Sequence, residues 1–334
     1  MNIAHLLPYT ARFPLLKHNG RYEWVLRLAK LQTANGHQVT IYSSPESSGA
    51  GVQWESMTQG SGNRAEDNRN LILKAFSNNV HEIFHSHFDS LHYLVADQIS
   101  KPIVFTQHWF PNQQISDASR LNKTGNVLAV PVTNYMREKN IELGLRTGQT
   151  IYHGIDLTLF KFRPKGKSDR LIFVGRISPN KGVKEAVQIA IDSNTKLDIV
   201  GKVNQSDAEY WKDVLKKVDG RQIRYLGPQS QPDVAELLGK ARALLFPSQS
   251  PEAFGQTTIE SQACGTPVII SDIGASSELV INNLTGFVAK TESDFIKSIE
   301  ALDTIKASDC RKNAEQFDIH RMVKEYDKLY ESLL

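Results

Sequence analysis

The sequence has few of the features that would suit a secreted, membrane-spanning or nucleic-acid-binding protein. Only two of its 334 residues are cysteines, Cys264 and Cys310, so a disulfide framework is excluded and a reducing compartment such as the cytoplasm fits. No uninterrupted apolar run approaches the roughly 18 residues of a membrane span. With 39 Lys and Arg against 36 Asp and Glu, the net charge calls for no nucleic-acid partner. The first residues lack the basic start of a signal peptide, and we expect a strand there.

The composition that is present suits an ordinary globular protein. The chain is 40% hydrophobic and 22% charged, and its length predicts two domains. Basic residues outnumber acidic ones before residue 165 and not after it. This asymmetry is compatible with scatter, and also with a cytoplasmic protein that makes peripheral contact with anionic membranes.

Short apolar runs alternate with longer segments of helical period along the chain. The expected strands are Ile3–Leu7, Gln38–Ser43, Glu82–Ser86, Pro102–Thr106, Val127–Val130, Thr150–Tyr152, Leu171–Val174, Leu197–Val200, Ile223–Leu226, Ala243–Phe246 and Val268–Ser271. The expected helices are Arg21–Asn35, Arg64–Asn79, Ser90–Ile99, Tyr135–Leu143, Lys181–Asp192, Ala208–Val218, Pro232–Ala241, Thr257–Cys264 and Ser276–Ile281. The alternation predicts an α/β protein with parallel sheets and right-handed crossovers.

The pattern restarts once, after a charged segment without apolar period, Lys161–Asp169, which we interpret as a linker. We therefore expect one domain over residues 1–160 and a second over residues 161–312. After residue 290 we expect three helical segments, and the last, over residues 313–334, is expected to form a C-terminal helix that returns to the first domain. Ligands of doubly wound sheets bind at the carboxyl ends of the strands, so the chemistry is expected in the loops that follow them.

Two cations follow the first strand of the second half. The segment FVGRISPNKG places Arg176 and Lys181 in a loop between a strand and a helix. An arginine fork, a lysine point charge and the N–H groups of a helix start together suit a diphosphate. The alternative is an ordinary basic surface loop.

A second cluster, EAFGQTTIE, follows the strand that ends at Phe246. Glu252 lies in the loop and Glu260 about one turn inside the next helix, with Phe254 and Gly255 where that helix starts. This spacing suits a hydroxyl-rich ligand that also carries an anionic group. The alternatives are a solvated helix glutamate for Glu260 and a partner of the helix dipole for Glu252. Cys264, in the next segment ACGTPVI, is expected to pack at a helix end.

Taken together, these segments resemble glycosyltransferase family 4, the retaining transferases of the GT-B fold. FVGRISPNKG, EAFGQTTIE, ACGTPVI and LTGFV occur in the order and spacing of the family's motifs, and GHQVT and YHGIDLTLF are weaker matches. The segment FTQHWF and the short chain are most similar to the avilamycin-type subgroup. The resemblance implies two doubly wound Rossmann-like domains whose parallel sheets face a central cleft, and an enzyme of the hexosyltransferase type.

The resemblance also implies roles for individual residues. Arg176 and Lys181 would hold the donor diphosphate, Glu252 would bond the donor-sugar hydroxyls, and Glu260 would bond the ribose. The backbone of Phe254, Gly255, Gln256 and Thr257 would line the sugar and phosphate, and Leu226 falls where the family lays the base. In the first half, Asn19 and Gly20 correspond to a Gly-Gly turn that faces the phosphates, and His108 to a histidine that points at the donor sugar. Glu252, His108, Arg176 and Lys181 are the catalytic candidates.

No metal ion and no cofactor are expected. The chain contains no Asp-x-Asp, the motif with which the other large glycosyltransferase fold usually holds Mn²⁺. His85 and His87 form an H-x-H after a strand, but without a third carboxylate or cysteine nearby they predict structural or pocket-lining roles.

The expected reaction moves a sugar from a nucleoside diphosphate donor, UDP- or GDP-linked, to an acceptor hydroxyl. No well-placed nucleophile is evident, which favours front-face attack with retention. The acceptor stays open between a saccharide, a lipid-linked sugar and a small natural product. Two other functions also stay open: a nucleotide-sugar epimerase or hydrolase of the GT-B type, and a non-catalytic sensor of sugar nucleotides.

Overall fold

The computed structural model describes residues 1–14, 20–49 and 51–334. Its strands are β1 (Asn2–Leu6), β2 (Gln38–Tyr42), β3 (Gln53–Glu55), β4 (Ile83–Ser86), β5 (Ile103–Thr106), β6 (Val127–Val130), β7 (Arg170–Val174), β8 (Lys196–Val200), β9 (Ile223–Gly227), β10 (Ala243–Phe246), β11 (Val268–Ser271) and β12 (Gly286–Ala289). Its α-helices are α1 (Gly20–Ala34), α2 (Arg64–Ser77), α3 (Gln113–Ser119), α4 (Asn134–Glu142), α5 (Val183–Asp192), α6 (Ala208–Leu215), α7 (Gln231–Lys240), α8 (Gln256–Ala263), α9 (Ser276–Leu279), α10 (Glu292–Glu300), α11 (Ala307–Ala314) and α12 (Ile319–Leu333).

The chain divides into two compact units. Unit 1 comprises Met1–Tyr152 and His320–Leu334, and unit 2 comprises His153–Ile319. The division after Tyr152 precedes the boundary expected at residue 160, and the C-terminal return to unit 1 begins at His320, later than the residue 313 expected. Among the described residues, no helix is both long and apolar enough to cross a membrane.

Each unit is built on one six-stranded sheet in which all pairs are parallel. The strand order is β3-β2-β1-β4-β5-β6 in unit 1 and β12-β11-β10-β7-β8-β9 in unit 2. Read from the other edge, the second order repeats the first, so both units have the doubly wound topology. The expectation of an α/β protein with two doubly wound parallel sheets is confirmed.

Burial explains why these short runs form strands and why helices cover them. All residues of β4, β5, β6, β10 and β11 are buried, as is typical of parallel strands with both faces covered. Helix α5 turns Val183, Ala186, Val187 and Ala190 toward the core, at the i, i+3, i+4, i+7 spacing of one helix face. The sheets therefore form the two cores, and their strand ends carry the loops.

The segment expected as a linker is part of unit 2. The Arg163 N–H donates to the Cys264 carbonyl at 3.1 Å, and the Ser168 N–H donates to the Lys240 carbonyl at 2.7 Å. Lys167 Nζ donates to Gly239 O at 2.9 Å and to Thr266 Oγ1 at 2.5 Å. These polar bonds to the ends of α7 and α8 fix the segment without the apolar period of a helix or strand.

Two expected elements do not form, and three others were missed. Residues Thr150–Tyr152 make no strand, although the Ile151 N–H donates to the Pro131 carbonyl at 3.0 Å. Residues Ser90–Ile99 form two short 3₁₀ turns, Leu91–Leu94 and Ala96–Gln98, in place of a helix. The sequence interpretation did not include β3, β12 or α3.

Both sheets have a topological switch point, where the strand order reverses. It lies between β1 and β4 in unit 1 and between β7 and β10 in unit 2. At such a point neighbouring crossovers leave in opposite directions, so a crevice opens beyond the carboxyl ends of the two strands. Most candidate residues follow these strands, whereas His108 follows β5 and Leu226 lies in β9.

Candidate functional site

In unit 2 the loops after β7 and β10 are bonded to each other. The Gln249 N–H and the Ser248 hydroxyl donate to the Asn180 carbonyl at 2.9 and 3.0 Å. At Gly182, which has φ of 74°, an added Cβ would lie 1.8 Å from the Pro247 carbonyl oxygen. Any side chain at this position would separate the loops, so glycine permits their close approach.

This packing brings together two candidates from different motifs. Lys181 Nζ lies 2.5 Å from both Oε1 and Oε2 of Glu252. The two side chains are about one fifth to one quarter exposed, so the ion pair is only partly shielded from water. Lys181 Nζ also lies 5.7 Å from the ring centre of Phe246, the last residue of β10. The pair therefore stands at the switch point of unit 2.

Helix α8 begins beside this ion pair. Its N-cap is Gly255, with φ of 85°, and no side chain among the described residues caps the helix. The Thr258 hydroxyl oxygen is buried and finds no hydrogen-bond partner among them. Because the first N–H groups of a helix attract anions, this end of α8 suits a phosphate or a polar sugar substituent.

A narrow crevice connects these features. It is lined by Ser248, Ser250, Glu252, Phe254, Gly255, Ile270, Ser271, Ile273, Ala275, Ser276 and Leu279. Phe254 is buried beneath it, with its ring centre 5.4 Å from that of His153. Ser248 was missed by sequence reasoning because serine in a loop carries no distinctive pattern.

The other donor-site candidates of unit 2 lie around the same sheet edge. Arg176 is exposed in the loop after β7 and pairs with no carboxylate among the described residues. Gln256, Thr257 and Glu260 lie on α8 and are partly exposed. Leu226 lies in β9, three strands from β10 and thus about 14 Å away.

Leu226 already has a polar partner, since Gln229 Nε2 donates to its carbonyl at 2.6 Å. Cys264 is fully buried, and burial raises the pKa of its thiol to about 11. It therefore packs at the end of α8, as expected.

Unit 1 places His108 after β5, in the wall of an open pocket of about 250 Å³. The lining residues are Asp89, Ser90, Phe105, His108, Trp109, Phe110, Asn112, Gln114 and Ile115. Trp109 is 58% exposed. An exposed aromatic face with carboxylate and amide groups nearby suits a ligand that has both apolar faces and hydroxyls.

Gly20 is the first residue of α1, and the neighbouring Asn19 lies outside the described residues. The expected turn formed by these two residues is therefore not described. Arg21, which follows, lies with its guanidinium 3.9 Å from Asp89.

The histidines of unit 1 are more closely associated than the sequence suggested. The H-x-H pair, His85 and His87, has a third histidine beside it, because His5 in β1 is in register with His85 in β4. All three are buried. The sequence interpretation considered only a carboxylate or a cysteine as a third ligand and missed His5, because strand register brings together residues far apart in sequence. A histidine in a first strand opposite an H-x-H could have signalled the cluster.

Comparison with known proteins adds independent evidence. Residues 155–317, which lie within unit 2, match the family described as Glycosyl transferases group 1. The chain is 24% identical over 279 residues to the uncharacterized glycosyltransferase MJ1178 of Methanocaldococcus jannaschii, over 75% of this chain and 76% of that protein. It is 33% identical over 153 residues to glycogen synthase of Mycobacterium tuberculosis, over 43% of this chain and 36% of that protein. Thus the chain spans about a third of the synthase.

Solved structures share the fold over the full chain. Anabaena Alr3699/HepE in complex with UDP-glucose has a TM-score of 0.79 at 18% identity, covering 99% of this chain and 100% of that one. AviGT4, a glycosyltransferase involved in avilamycin A biosynthesis, has a TM-score of 0.74 at 18% identity, covering 99% and 97%. At these identities the likeness shows the fold alone.

The two doubly wound sheets have the fold of the GT-B glycosyltransferase structures to which the chain is similar. With the family match in unit 2, they define the chain as a glycosyltransferase of the GT-B fold. More particularly, the part of the chain that matches Glycosyl transferases group 1 lies within unit 2.

Proposed function

We propose that the chain is a retaining glycosyltransferase of family 4, close to the avilamycin-type subgroup. It takes a sugar from a nucleoside diphosphate donor bound by unit 2 and transfers it to an acceptor hydroxyl, without a metal ion. The observation that carries the proposal is the Lys181–Glu252 ion pair beside the uncapped start of α8.

The diphosphate is bound by positive charge from three sources. Lys181 supplies a point charge, and the exposed Arg176 supplies a fork on the same loop. The first N–H groups of α8 add the positive end of a helix dipole. These groups stabilise the negative charge that grows on the leaving diphosphate, the role that a divalent metal plays elsewhere.

The donor sugar lies against Glu252. Lys181 holds this carboxylate in place, and a carboxylate accepts hydrogen bonds from sugar hydroxyls. The Thr258 hydroxyl and the backbone of Phe254, Gly255, Gln256 and Thr257 provide further polar groups around Gly255.

The nucleoside lies along the strand ends toward β9. Glu260 on α8 accepts hydrogen bonds from the ribose, and the base lies by Leu226. Because Gln229 occupies the Leu226 carbonyl, a base that uses this atom displaces the Gln229 side chain. The UDP-glucose bound to Anabaena Alr3699/HepE supports a uridine donor, and GDP is the alternative.

Transfer follows a front-face course. The acceptor oxygen forms a bond to the anomeric carbon as the bond from that carbon to the diphosphate oxygen breaks, on the same face. The acceptor proton passes to the leaving phosphate oxygen, so atoms and charges balance without an enzyme nucleophile. Lys181 and Arg176 stabilise the departing diphosphate throughout.

The acceptor is bound by unit 1, in the pocket that His108 and Trp109 line. Trp109 offers an apolar face for a sugar ring, and Asp89 and Asn112 offer hydrogen-bond partners for hydroxyls. A saccharide, a lipid-linked sugar and a hydroxylated natural product all have this chemistry.

A two-stage experiment tests the proposal. Thermal unfolding is first measured with UDP-, GDP-, ADP- and TDP-sugars, because a donor at 100 times its Kd stabilises the protein by about 2.7 kcal/mol. Nucleotide release from the stabilising donor is then followed with and without candidate acceptors. Release that requires an acceptor and yields an α-linked product from an α-linked donor supports the proposal. Inversion at the anomeric carbon, or equal release without acceptor, contradicts it.

A further inference from the structure

A row of hydrogen-bonded side chains runs through the switch point of unit 1 to His108. His5 and His87 are 0% and 1% exposed, and their rings are nearly parallel, at an angle of 10°, with centres 5.3 Å apart. Gln32, on α1, is buried beside His5. We call Gln32, His5, His87 and His108 the histidine row. None of its first three members has a part in the proposed transfer.

Three hydrogen bonds connect the row. His5 Nε2 lies 2.8 Å from Gln32 Oε1, and His5 Nδ1 lies 3.0 Å from His87 Nε2. His87 Nδ1 lies 3.1 Å from His108 Nε2. Both ring nitrogens of His5 and both of His87 are therefore engaged within the row.

The amide of Gln32 sets the direction of these bonds. Gln32 Nε2 donates to Asp327 Oδ1 on α12 at 3.4 Å, so the amide oxygen is the atom that faces His5. An amide oxygen only accepts, and His5 must carry its hydrogen on Nε2. A neutral imidazole has one donor and one acceptor nitrogen, so His5 Nδ1 accepts from His87 Nε2–H.

The same rule extends the direction to the pocket. His87 donates from Nε2, so its Nδ1 accepts, and His108 must donate from Nε2. The rule requires neutral rings. Burial lowers the pKa of His5 to about 4, and burial together with the neighbouring histidines lowers the pKa of His87 well below its usual value.

A metal ion is the competing explanation for clustered histidines, since His5, His85 and His87 bring ligand atoms within 4.8 Å of one another. His85, however, bonds Thr106 Oγ1 through Nε2 at 2.7 Å and Tyr330 Oη through Nδ1 at 2.6 Å. The 3.0 Å between His5 Nδ1 and His87 Nε2 is also shorter than the roughly 3.4 Å between two nitrogens on a tetrahedral zinc. Hydrogen bonds account for the cluster better.

We propose that Gln32, acting through His5 and His87, fixes His108 in the tautomer that carries hydrogen on Nε2. Any group that bonds His108 Nδ1 must then be a donor. The row thus makes His108 an acceptor for a substrate hydroxyl and excludes it as a donor to a phosphate or carbonyl oxygen. Gln32, His5 and His87 are positioning residues; the link to a substrate rests on the proposed function.

The test measures the tautomers directly, in the full chain without ligand. Protein labelled with ¹⁵N in its histidine rings is examined by long-range ¹⁵N–¹H correlation near pH 7.5, with rings assigned through single His→Gln variants. Nε2–H in His5, His87 and His108 supports the proposal. Nδ1–H in His108, a charged His87, or one zinc per chain bound to His5 and His87 overturns it.

Variants then test the role of Gln32. Gln32→Met removes the accepting oxygen, and we expect mixed tautomers at His108 and a fall of about threefold to tenfold in kcat/KM, the worth of one hydrogen bond. Thr106→Val, which removes a buried bond of His85 outside the row, is the matched control and should leave the His108 tautomer unchanged.

A persistent Nε2–H signal at His108 in Gln32→Met, or its loss in Thr106→Val, overturns the role of Gln32. The tautomer is read without substrate, so it is independent of the proposed function. A protein with the expected tautomers and no transferase activity contradicts only the proposed function.

Discussion

Lys181 Nζ contacts both carboxylate oxygens of Glu252 at 2.5 Å, although the two residues are 71 positions apart. They meet because β7 and β10 are neighbours at the switch point of unit 2. Lys181, expected to bind the diphosphate, and Glu252, expected to bind the sugar, are thus paired with each other without a bound donor. The charge of each side chain therefore affects the position of the other.

The first prediction concerns this coupling. Lys181→Met and Glu252→Gln should each lower kcat by about 10²- to 10³-fold, comparable with the loss of one group that stabilises transition-state charge. The double variant should lose much less than the product of the two, because each single change already disrupts the shared pair. Steady-state kinetics of all four proteins measures the coupling.

Lys212→Met is the matched control, because Lys212 pairs with Glu209 on an exposed surface. Its kcat should equal that of the unmodified protein. If the effects of Lys181→Met and Glu252→Gln simply multiply, the ion pair has no functional role.

A second prediction separates Glu260 from Glu252. The ribose does not change during transfer, so its hydrogen bond is equally strong before and during reaction. Glu260→Gln should therefore raise the donor KM about 10- to 150-fold, the worth of a hydrogen bond to a charged group, with kcat nearly intact. Glu252→Gln should lower kcat. A reversed pattern, measured with varied donor, would show that the sugar and the ribose have been exchanged in this assignment.

The third prediction concerns metal removal. Arg176, Lys181 and the start of α8 supply the positive charge that the diphosphate needs, so activity should survive exhaustive treatment with EDTA. Initial rates before and after treatment, each with and without added Mg²⁺ or Mn²⁺, are the measurement. Activity abolished by EDTA and restored by Mn²⁺ would refute metal independence.

Arg176→Ala should lower kcat/KM by an amount that corresponds to roughly 2–4 kcal/mol of transition-state stabilisation, as for a lost oxyanion donor.

A fourth prediction concerns Gly182. Gly182→Ala should lower the free energy of unfolding by about 2–4 kcal/mol, because the new Cβ would clash with the Pro247 carbonyl and separate the two loops. Gly166→Ala is the control: Gly166 has nearly the same φ, 75° against 74°, but an added Cβ there meets nothing within 4 Å. It should cost only the roughly 1–2 kcal/mol of a left-handed alanine. Chemical denaturation measures both free energies of unfolding. If the two variants lose the same amount, the left-handed backbone conformation requires glycine at position 182, and the close contact with Pro247 does not.

The sequence predicted the sheets well because their strands are short buried runs, such as Ala243–Phe246 and Val268–Ser271. It failed where an apolar run is buried without pairing. Ile151 is fully buried, but among the described residues one backbone bond, from its N–H to the Pro131 carbonyl, takes the place of a strand ladder. In Ser90–Ile99, His92 Nδ1 lies 3.0 Å from Ser86 Oγ. The backbone forms hydrogen bonds between residues three apart, which gives 3₁₀ turns in place of an α-helix. Such tertiary contacts are invisible to periodicity.

The candidate residues of unit 2 were identifiable from motif spacing, but their pairing was not. Spacing placed Lys181 and Glu252 in loops after strands, and only the strand order makes these loops neighbours. The same reason hid the histidine row. Parallel register across β1 and β4 sets His5 opposite His85 and thereby close to His87, a relationship that no local pattern contains.

The last prediction concerns acid stability and buried histidines. Burial lowers the pKa of His92 to about 3, and that of His5 to about 4, whereas an unfolded chain protonates histidine near pH 6.5. Between these values the unfolded state binds more protons than the native state, so the free energy of unfolding falls as pH falls. Each such histidine contributes a slope of about 1.4 kcal/mol per pH unit below the unfolded pKa.

His92→Phe should remove that much of the slope, measured by urea denaturation between pH 6 and pH 5, above the range in which unfolded carboxylates titrate. His92 suits the test because its Nε2 is buried without a partner among the described residues, and the ring packs between Tyr93 and Phe105. Tyr93→Phe, an aromatic change beside it that leaves His92 in place, should keep the full slope. If His92→Phe retains the slope of the unmodified protein, His92 is protonated equally in the native and unfolded states, and burial does not keep it neutral.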